Sequence, residues 1–344
     1  MTETSPFRIA INGYGRIGQC VLRALYENGY RDHLQVVAIN ELSDIDTIAH
    51  LTRYDSTHGR FQGAIDVEGD DLLVNGDRIR ILNHPDPADL PWRLLDVDLV
   101  LECSGAFSDR ATAQKHIDSG AGHLLFSQPA ESDVDRTVVF GINDSEVTGD
   151  DLIVAAGSCT TNCLVPVIKV LDDALGVEWG TTTTIHAAMN DQPVIDAYHH
   201  QDLRRTRSAL HNIVPVDTGL ARGIERLLPH MDGRFSSVAM RVPTLNVSAI
   251  DMVVNVRSAT SVTAVNKLLE GAASGALSGI LGYTDELLAS SDFNHDSHSG
   301  VVDGGQTRVT GGHLVKVLCW FDNEWGFANR MLDVSRCWLS KTDN

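Results

Sequence analysis

Gly13-Tyr14-Gly15-Arg16-Ile17-Gly18 follows directly on the apolar run Phe7 to Ile11 and Asn12, and the amphipathic stretch Val21 to Tyr26 comes next. A second apolar run, Leu34 to Ile39, ends at Asn40-Glu41. Strand, glycine fingerprint, helix, strand and acid, with the acid about 20 residues beyond the glycines, form the layout of a nucleotide-binding βαβ unit. Each glycine answers a separate steric demand. Gly13 permits the tight turn, Gly15 lets the backbone approach a pyrophosphate, and Gly18 lets helix and sheet pack closely. The N-terminus of the helix supplies the anion site. Glu41 is placed to accept from a ribose 2′-hydroxyl and to repel a 2′-phosphate, which favours NAD over NADP.

Further strand candidates at Val97 to Cys103, His123 to Ser127, Thr137 to Gly141 and Leu152 to Ala156 end in turn-forming residues, as at the carboxyl edge of a parallel sheet. Beyond Cys163 the pattern changes. Trp179 to His186, Ser237 to Val242, Val247 to Arg257 and Leu314 to Phe321 are longer and richer in β-branched residues, with one clear helix from Val262 to Leu277. The expected fold is α/β: a Rossmann-type parallel-sheet domain over 1–157 and an α+β domain with a mixed or antiparallel sheet over 158–322, with a final helical segment, Asn323 to Leu339, that could pack against either. A chain of 344 residues can build both cores. Its net charge of −19 argues against nucleic acid or a polybasic membrane anchor, since both require a cationic face. No apolar run is long enough to span a bilayer, and the start Met1 to Pro6 lacks a targeting signal. Six cysteines too scattered for a disulfide framework point to a reduced, cytoplasmic compartment.

The chemistry concentrates at Ser158-Cys159-Thr160-Thr161-Asn162-Cys163, between the strand Leu152 to Ala156 with its turn at Gly157 and the apolar helix pattern Leu164 to Leu171. Cys159 is thereby expected at or near a helix N-terminus, with Ser158 and Thr160 beside it as caps. Unpaired N–H groups and the helix dipole there stabilise a thiolate. His186, at the end of the threonine-rich strand, is the candidate general base for such a thiol, although periodicity does not show that the two meet. Arginines for an anionic substrate come from Arg204-Arg205-Thr206-Arg207 and from Arg241, which sits inside an apolar strand pattern and requires a partner if buried. Thr218-Gly219 is a polar loop suited to a phosphate. Asp292, His295, Asp296 and His298 are of metal-ligand type, but their spacing fits no familiar site, and no metal is expected.

Taken together these runs resemble the glyceraldehyde-3-phosphate dehydrogenase family over essentially the whole chain. The resemblance rests on Ala10 to Gly18, Ser158 to Leu164, Asp202 to Arg207 and Trp320-Phe321-Asp322-Asn323-Glu324-Trp325-Gly326. Within that family Ile39 to Leu42, Asp196 to Tyr198, Val216 to Thr218, Asn246 to Asp251 and Phe293 to Asp296 look most like the D-erythrose-4-phosphate dehydrogenase branch. The resemblance implies that Cys159 is the nucleophile and His186 its base and proton shuttle. It implies a thioester that water resolves to 4-phosphoerythronate, a precursor for pyridoxal phosphate synthesis. In the glycolytic branch inorganic phosphate resolves it. It further implies that Arg16 and Ile17 present backbone to the cofactor phosphates and that Asn323 holds the nicotinamide carboxamide. Ser158, Thr160, Arg205, Thr218, Gly219 and Arg241 would surround a small phosphorylated aldehyde. A return of 323–344 to the cofactor domain and a homotetramer are also implied.

Several positions depart from the glycolytic pattern. Met189 stands where a phosphate-binding threonine is usual, and a thioether cannot donate a hydrogen bond. Ala197-Tyr198 replaces the usual Leu-Pro, so Glu41 alone carries the preference for NAD. Gly219 stands where lysine is expected in many of the erythrose branch, and Pro85 where an adenine-side arginine is common. The alternatives are a phosphorylating glyceraldehyde-3-phosphate dehydrogenase and, in a different class, a non-catalytic nucleotide-binding or interaction protein. Cys159, His186 and Asn323 together speak against the latter.

Overall fold

The computed structural model describes residues 5–198 and 202–342. The chain divides into two compact units, Met1–Ser158 with Phe327–Asn344, and Cys159–Gly326.

The first unit runs β1 (Phe7–Asn12), α1 (Arg16–Glu27), β2 (Leu34–Asn40), α2 (Ile45–Arg53), a short ladder of β3 (Tyr54–Asp55) and β4 (Gly59–Arg60), then β5 (Ile65–Glu68), β6 (Asp71–Val74) and β7 (Asp77–Leu82). It continues with β8 (Leu99–Glu102), α3 (Arg110–Asp118), β9 (His123–Phe126), β10 (Arg136–Thr137) and β11 (Ile153–Ala155). Nine strands form one sheet in the order β10-β11-β9-β8-β1-β2-β7-β6-β5. Every pairing from β10 to β7 is parallel, and β5 to β7 close the edge as an antiparallel meander. All four residues of β8 and the last four of β1 are buried, as expected where helices cover both faces of a parallel sheet. The strand order reverses at β1, between β2 and β8, so a crevice opens at the carboxyl ends of those strands. Of the expected strand Thr137 to Gly141 only Thr137 lies in a strand, β10, which begins one residue earlier at Arg136. Asn143 folds the rest into a turn by accepting from Val139 N–H (2.8 Å) and donating to the Thr137 carbonyl (2.9 Å).

The second unit comprises α4 (Cys159–Leu175), β12 (Val177–His186), β13 (Val214–Val216), α5 (Leu220–Leu227), β14 (Phe235–Arg241), β15 (Ser248–Val256), α6 (Val262–Ser274), β16 (Leu281–Thr284), β17 (Gly300–Thr310) and β18 (Leu314–Phe321). Its seven strands are ordered β13-β14-β12-β15-β18-β17-β16. The sheet is mixed: β12–β14 and β16–β17 are parallel, and the other pairings antiparallel. Burial alternates along β15 from Ile250 onward, the signature of a sheet covered on one face, and α4 packs against β12, β15, β17 and β18. The last helix, α7 (Trp325–Leu339), begins in this unit and belongs from Phe327 to the first. There Asp333 accepts from the Tyr30 hydroxyl (3.1 Å) and Trp338 donates to the Thr148 carbonyl (3.0 Å). Among the described residues no helix is long and apolar enough to cross a membrane.

Candidate active site

Cys159 is the first residue of α4 and His186 the last of β12, and the fold brings Sγ to 3.9 Å from His186 Nε2. The imidazole is oriented by its own backbone. Nδ1 lies 2.8 Å from the Ala187 carbonyl, which can only accept, so Nδ1 carries the hydrogen and the Nε2 lone pair faces the sulfur. Burial, reinforced by the Arg241 charge, lowers the His186 pKa to about 4, against an upward pull from the Ala187 carbonyl and Asp191. Burial likewise pushes the Cys159 thiol up to about 11, although the Thr160 N–H and Arg241 favour the thiolate. This shift runs opposite to the lowering that a helix N-terminus favours. The helix terminus acts as foreseen, but loss of water around the sulfur outweighs it. Both shifts favour the neutral thiol and the neutral imidazole, so the proton is exchanged as the sulfur attacks.

The second cysteine of the motif is a different case. Cys163 is fully buried, its thiol raised by burial and by contact with Cys319, and it packs so tightly that a Cβ on Gly300 would lie 2.6 Å from its sulfur. It is a packing residue.

Parallel pairing of β12 with β14 sets Arg241 directly opposite His186, so register joins two candidates far apart in sequence. Arg241 Nη1 donates to Asp191 Oδ1 (3.3 Å) and Arg205 Nη1 to Asp191 Oδ2 (3.1 Å). Asp191 is thus the partner that buried Arg241 requires, and it tethers both arginines. Met189, two residues earlier, is 44% exposed and adds no donor. Thr218 Oγ1 accepts from the Leu220 N–H (3.2 Å) at the start of α5, and Gly219 is the N-cap. A Cβ on Gly223 would meet Thr161 Cγ2 at 2.4 Å, so α5 lies hard against the first turn of α4, where Thr160 follows Cys159 and Ser158 precedes it. Asn323, just after β18, accepts at Oδ1 from the Ser248 hydroxyl (2.8 Å). His295 stacks on Trp325 with ring centroids 3.6 Å apart, and His298 Nδ1 lies 2.7 Å from Asp296 Oδ1.

In the first unit a cleft of about 680 Å³ opens at the β1–β2–β8 edge, lined by Asn12, Gly13, Gly15, Glu41 and Ser104 among others. The fingerprint glycines have the surroundings their roles require. Gly13 has φ +90°, and a Cβ there would strike Ser104 Cα at 2.4 Å. At Gly18 it would strike the Gly13 carbonyl oxygen at 2.4 Å, whereas at Gly15 it would point into open space. Gly15 has no side chain to cap α1, so the turn beginning at Arg16 and Ile17 can offer N–H groups to an anion. The Arg16 guanidinium is engaged elsewhere, with both nitrogens on Asp55 (2.6 and 3.1 Å). Burial would raise the Asp55 carboxyl, but Arg16 and the His58 and Thr57 N–H groups hold it at about 2. Glu41 accepts from the Tyr14 and Leu42 N–H groups, both at 2.7 Å, one on each carboxylate oxygen. Each oxygen keeps a lone pair for a ribose hydroxyl. These residues fit a dinucleotide.

Residues 7–110 match the family model described as glyceraldehyde 3-phosphate dehydrogenase, NAD binding domain, and residues 158–323 match glyceraldehyde 3-phosphate dehydrogenase, C-terminal domain. The chain belongs to the glyceraldehyde-3-phosphate dehydrogenase family.

As a member of that family it is an NAD-dependent dehydrogenase of aldehyde phosphates, with a Rossmann-type sheet that holds NAD and a mixed-sheet catalytic domain. Two residues in the surroundings of Cys159, His186 and Asn323 escape sequence reasoning, Asp191 between the arginines and Ser248 beside Asn323. Asp191 follows the last strand residue His186 by five positions in irregular chain, and Ser248 opens a strand. Neither position has a periodic signal.

Proposed function

We propose that the chain oxidises D-erythrose 4-phosphate to 4-phosphoerythronate with NAD, through a thioester on Cys159 that water resolves, and so feeds pyridoxal phosphate biosynthesis. The observation that carries the chemistry is the 3.9 Å approach of the Cys159 sulfur to the hydrogen-free nitrogen of His186. His186 Nε2 takes the thiol proton as Sγ bonds to the aldehyde carbon, and the proton passes to the former carbonyl oxygen, giving a hemithioacetal. His186 then removes that hydroxyl proton while the carbon is oxidised to a thioester. When bound, the nicotinamide ring of NAD supplies the acceptor for the two electrons and the hydrogen leaving that carbon. Before release, His186 gives the hydroxyl proton to solvent; it then takes a proton from water, the water oxygen bonds to the acyl carbon, the C–S bond breaks, and the proton returns to sulfur.

Ser158, Thr160, Arg205, Thr218, Gly219 and Arg241 surround the substrate in this reading. Met189 and Asp191 support the choice of substrate: one removes a donor from an anion site, and the other already engages both arginines, so free inorganic phosphate finds a weakened site. The phosphorylating alternative draws on Thr218, Gly219 and Arg205, which suit phosphate as an acyl acceptor. NADH formation from each aldehyde phosphate, with and without inorganic phosphate, separates the two. The expected result is faster oxidation of erythrose 4-phosphate, independent of added phosphate. A phosphate-requiring preference for glyceraldehyde 3-phosphate would overturn the proposal.

On the cofactor side Gly13, Gly15, Gly18 and the Arg16–Ile17 backbone take the pyrophosphate, Glu41 the ribose, and Asn323 the carboxamide. A charge-assisted hydrogen bond contributes about 1.5–3 kcal/mol. Glu41→Gln is therefore expected to narrow the NAD-to-NADP ratio of kcat/KM by about 10- to 100-fold; an unchanged ratio would remove Glu41 from ribose recognition. A homotetramer in a reducing cytoplasm completes the reading. It is supported by Trp179, Ile185 and Val238 exposed on the second unit's sheet and by six free cysteines.

A further inference from the structure

We infer that Ser248 is the positioning residue that fixes the polarity of the Asn323 carboxamide, and thereby makes the site select a cofactor ring bearing a carbonyl acceptor. The inference rests on the proposed role of Asn323 and asks what points its amide the right way.

The backbone around Asn323 is already pinned by its neighbour. Asp322 Oδ1 accepts from the Glu324 and Trp325 N–H groups (3.0 and 2.8 Å), and Oδ2 accepts from His295 N–H and Asn246 Nδ2, both at 2.8 Å. This leaves only the side-chain torsions of Asn323 to be set, and an amide can point its oxygen or its nitrogen at a given neighbour. Ser248 is 1% exposed. Its Oγ accepts from the Ala187 N–H (3.1 Å), and its proton goes to Asn323 Oδ1 at 2.8 Å. If the amide were reversed, the buried hydroxyl proton would lose its acceptor, a costly arrangement. Ser248 therefore turns Nδ2 outward. Asn323 is 9% exposed, and its Nδ2 has no acceptor among the described residues. Nδ2 stays reachable from outside the fold, so it is free to take an acceptor from a ligand, and the carboxamide oxygen of the nicotinamide would meet it. The same contact ties the amide to the base: Ala187, which donates to Ser248, also accepts from His186 Nδ1 (2.8 Å).

The test compares binding of NAD with its thionicotinamide analogue, in which sulfur, a weak acceptor, replaces the carboxamide oxygen. Dissociation constants come from calorimetry without aldehyde. Wild-type protein is expected to prefer NAD, Ser248→Ala to narrow that preference about three- to tenfold, and Ser248→Thr, which keeps the hydroxyl, to retain it. Asn323→Ala is expected to lose the preference, with no further loss when Ser248→Ala is added. Should Ser248→Ala not fold, Ser248→Cys gives the same comparison with a weak donor. A wild-type preference in both the Ala and Cys variants, with Asn323→Ala impaired, would show that Ser248 only packs the strand and overturn the inference. Full preference in Asn323→Ala would instead overturn the role assigned to Asn323 and the inference with it.

Discussion

Cys159→Ala is expected to lower kcat for aldehyde oxidation by on the order of 10^4- to 10^6-fold while leaving the NAD dissociation constant unchanged. The size follows from what the sulfur does. Without it there is no hemithioacetal, and direct loss of hydrogen from a hydrated aldehyde has no covalent intermediate to divide the barrier. Cys163→Ala is the control. Cys163 is buried against Gly300 and Cys319, so its loss leaves a small cavity that lowers the thermal midpoint, with far smaller change in turnover. NADH formation under saturating NAD, with the thermal midpoint of each variant, checks both. If Cys159→Ala kept more than about 1% of wild-type turnover, the effect would fall far below that of removing a catalytic nucleophile, and the chemistry would have to be sought at another side chain.

The cofactor half of the molecule is legible in sequence because its constraints are local. Gly13, Gly15 and Gly18 each respond to a steric demand that no other residue meets as well, and β1, β2 and β8 are short apolar runs ended by turns. The antiparallel edge β5 to β7 is harder to see, since acids and arginines interrupt its alternation. Its one strong signal is the pair Asn75-Gly76, which occupies positive φ (51° and 88°) between β6 and β7, as a tight hairpin requires. The catalytic half is legible in its residue types but not in their meeting. A cysteine ahead of an apolar helix and a histidine ending a strand are visible separately, while their approach depends on α4 packing over β12. Arg241 joins them only through parallel register. Electrostatics is least legible of all. Sequence places Cys159 in a thiolate-stabilising terminus, yet the surrounding burial, a property of the whole unit, reverses the direction of its shift.

That reversal makes the base indispensable and sets the second large expected effect. His186→Gln should lower kcat by about 10^2- to 10^4-fold, the range for removing a general base. A thiol held up at about 11 cannot ionise unaided near neutral pH, so the imidazole must take the proton during attack. The pH profiles distinguish this from a merely structural role. Burial lowers the wild-type imidazole to about 4, so the base stays neutral, and kcat/KM flat, as pH falls through 6, where an ordinary histidine of pKa about 6.5 would already be mostly protonated. In His186→Gln the residual rate should climb about tenfold per pH unit toward about 11, since only the spontaneously ionised thiol reacts. Alkylation of Cys159 should follow the same two profiles. A wild-type profile that fell with an apparent pKa near 6.5, or a variant whose rate stayed level with pH, would mean that the sulfur is already ionised at rest and that His186 serves as its counter-ion, not its base.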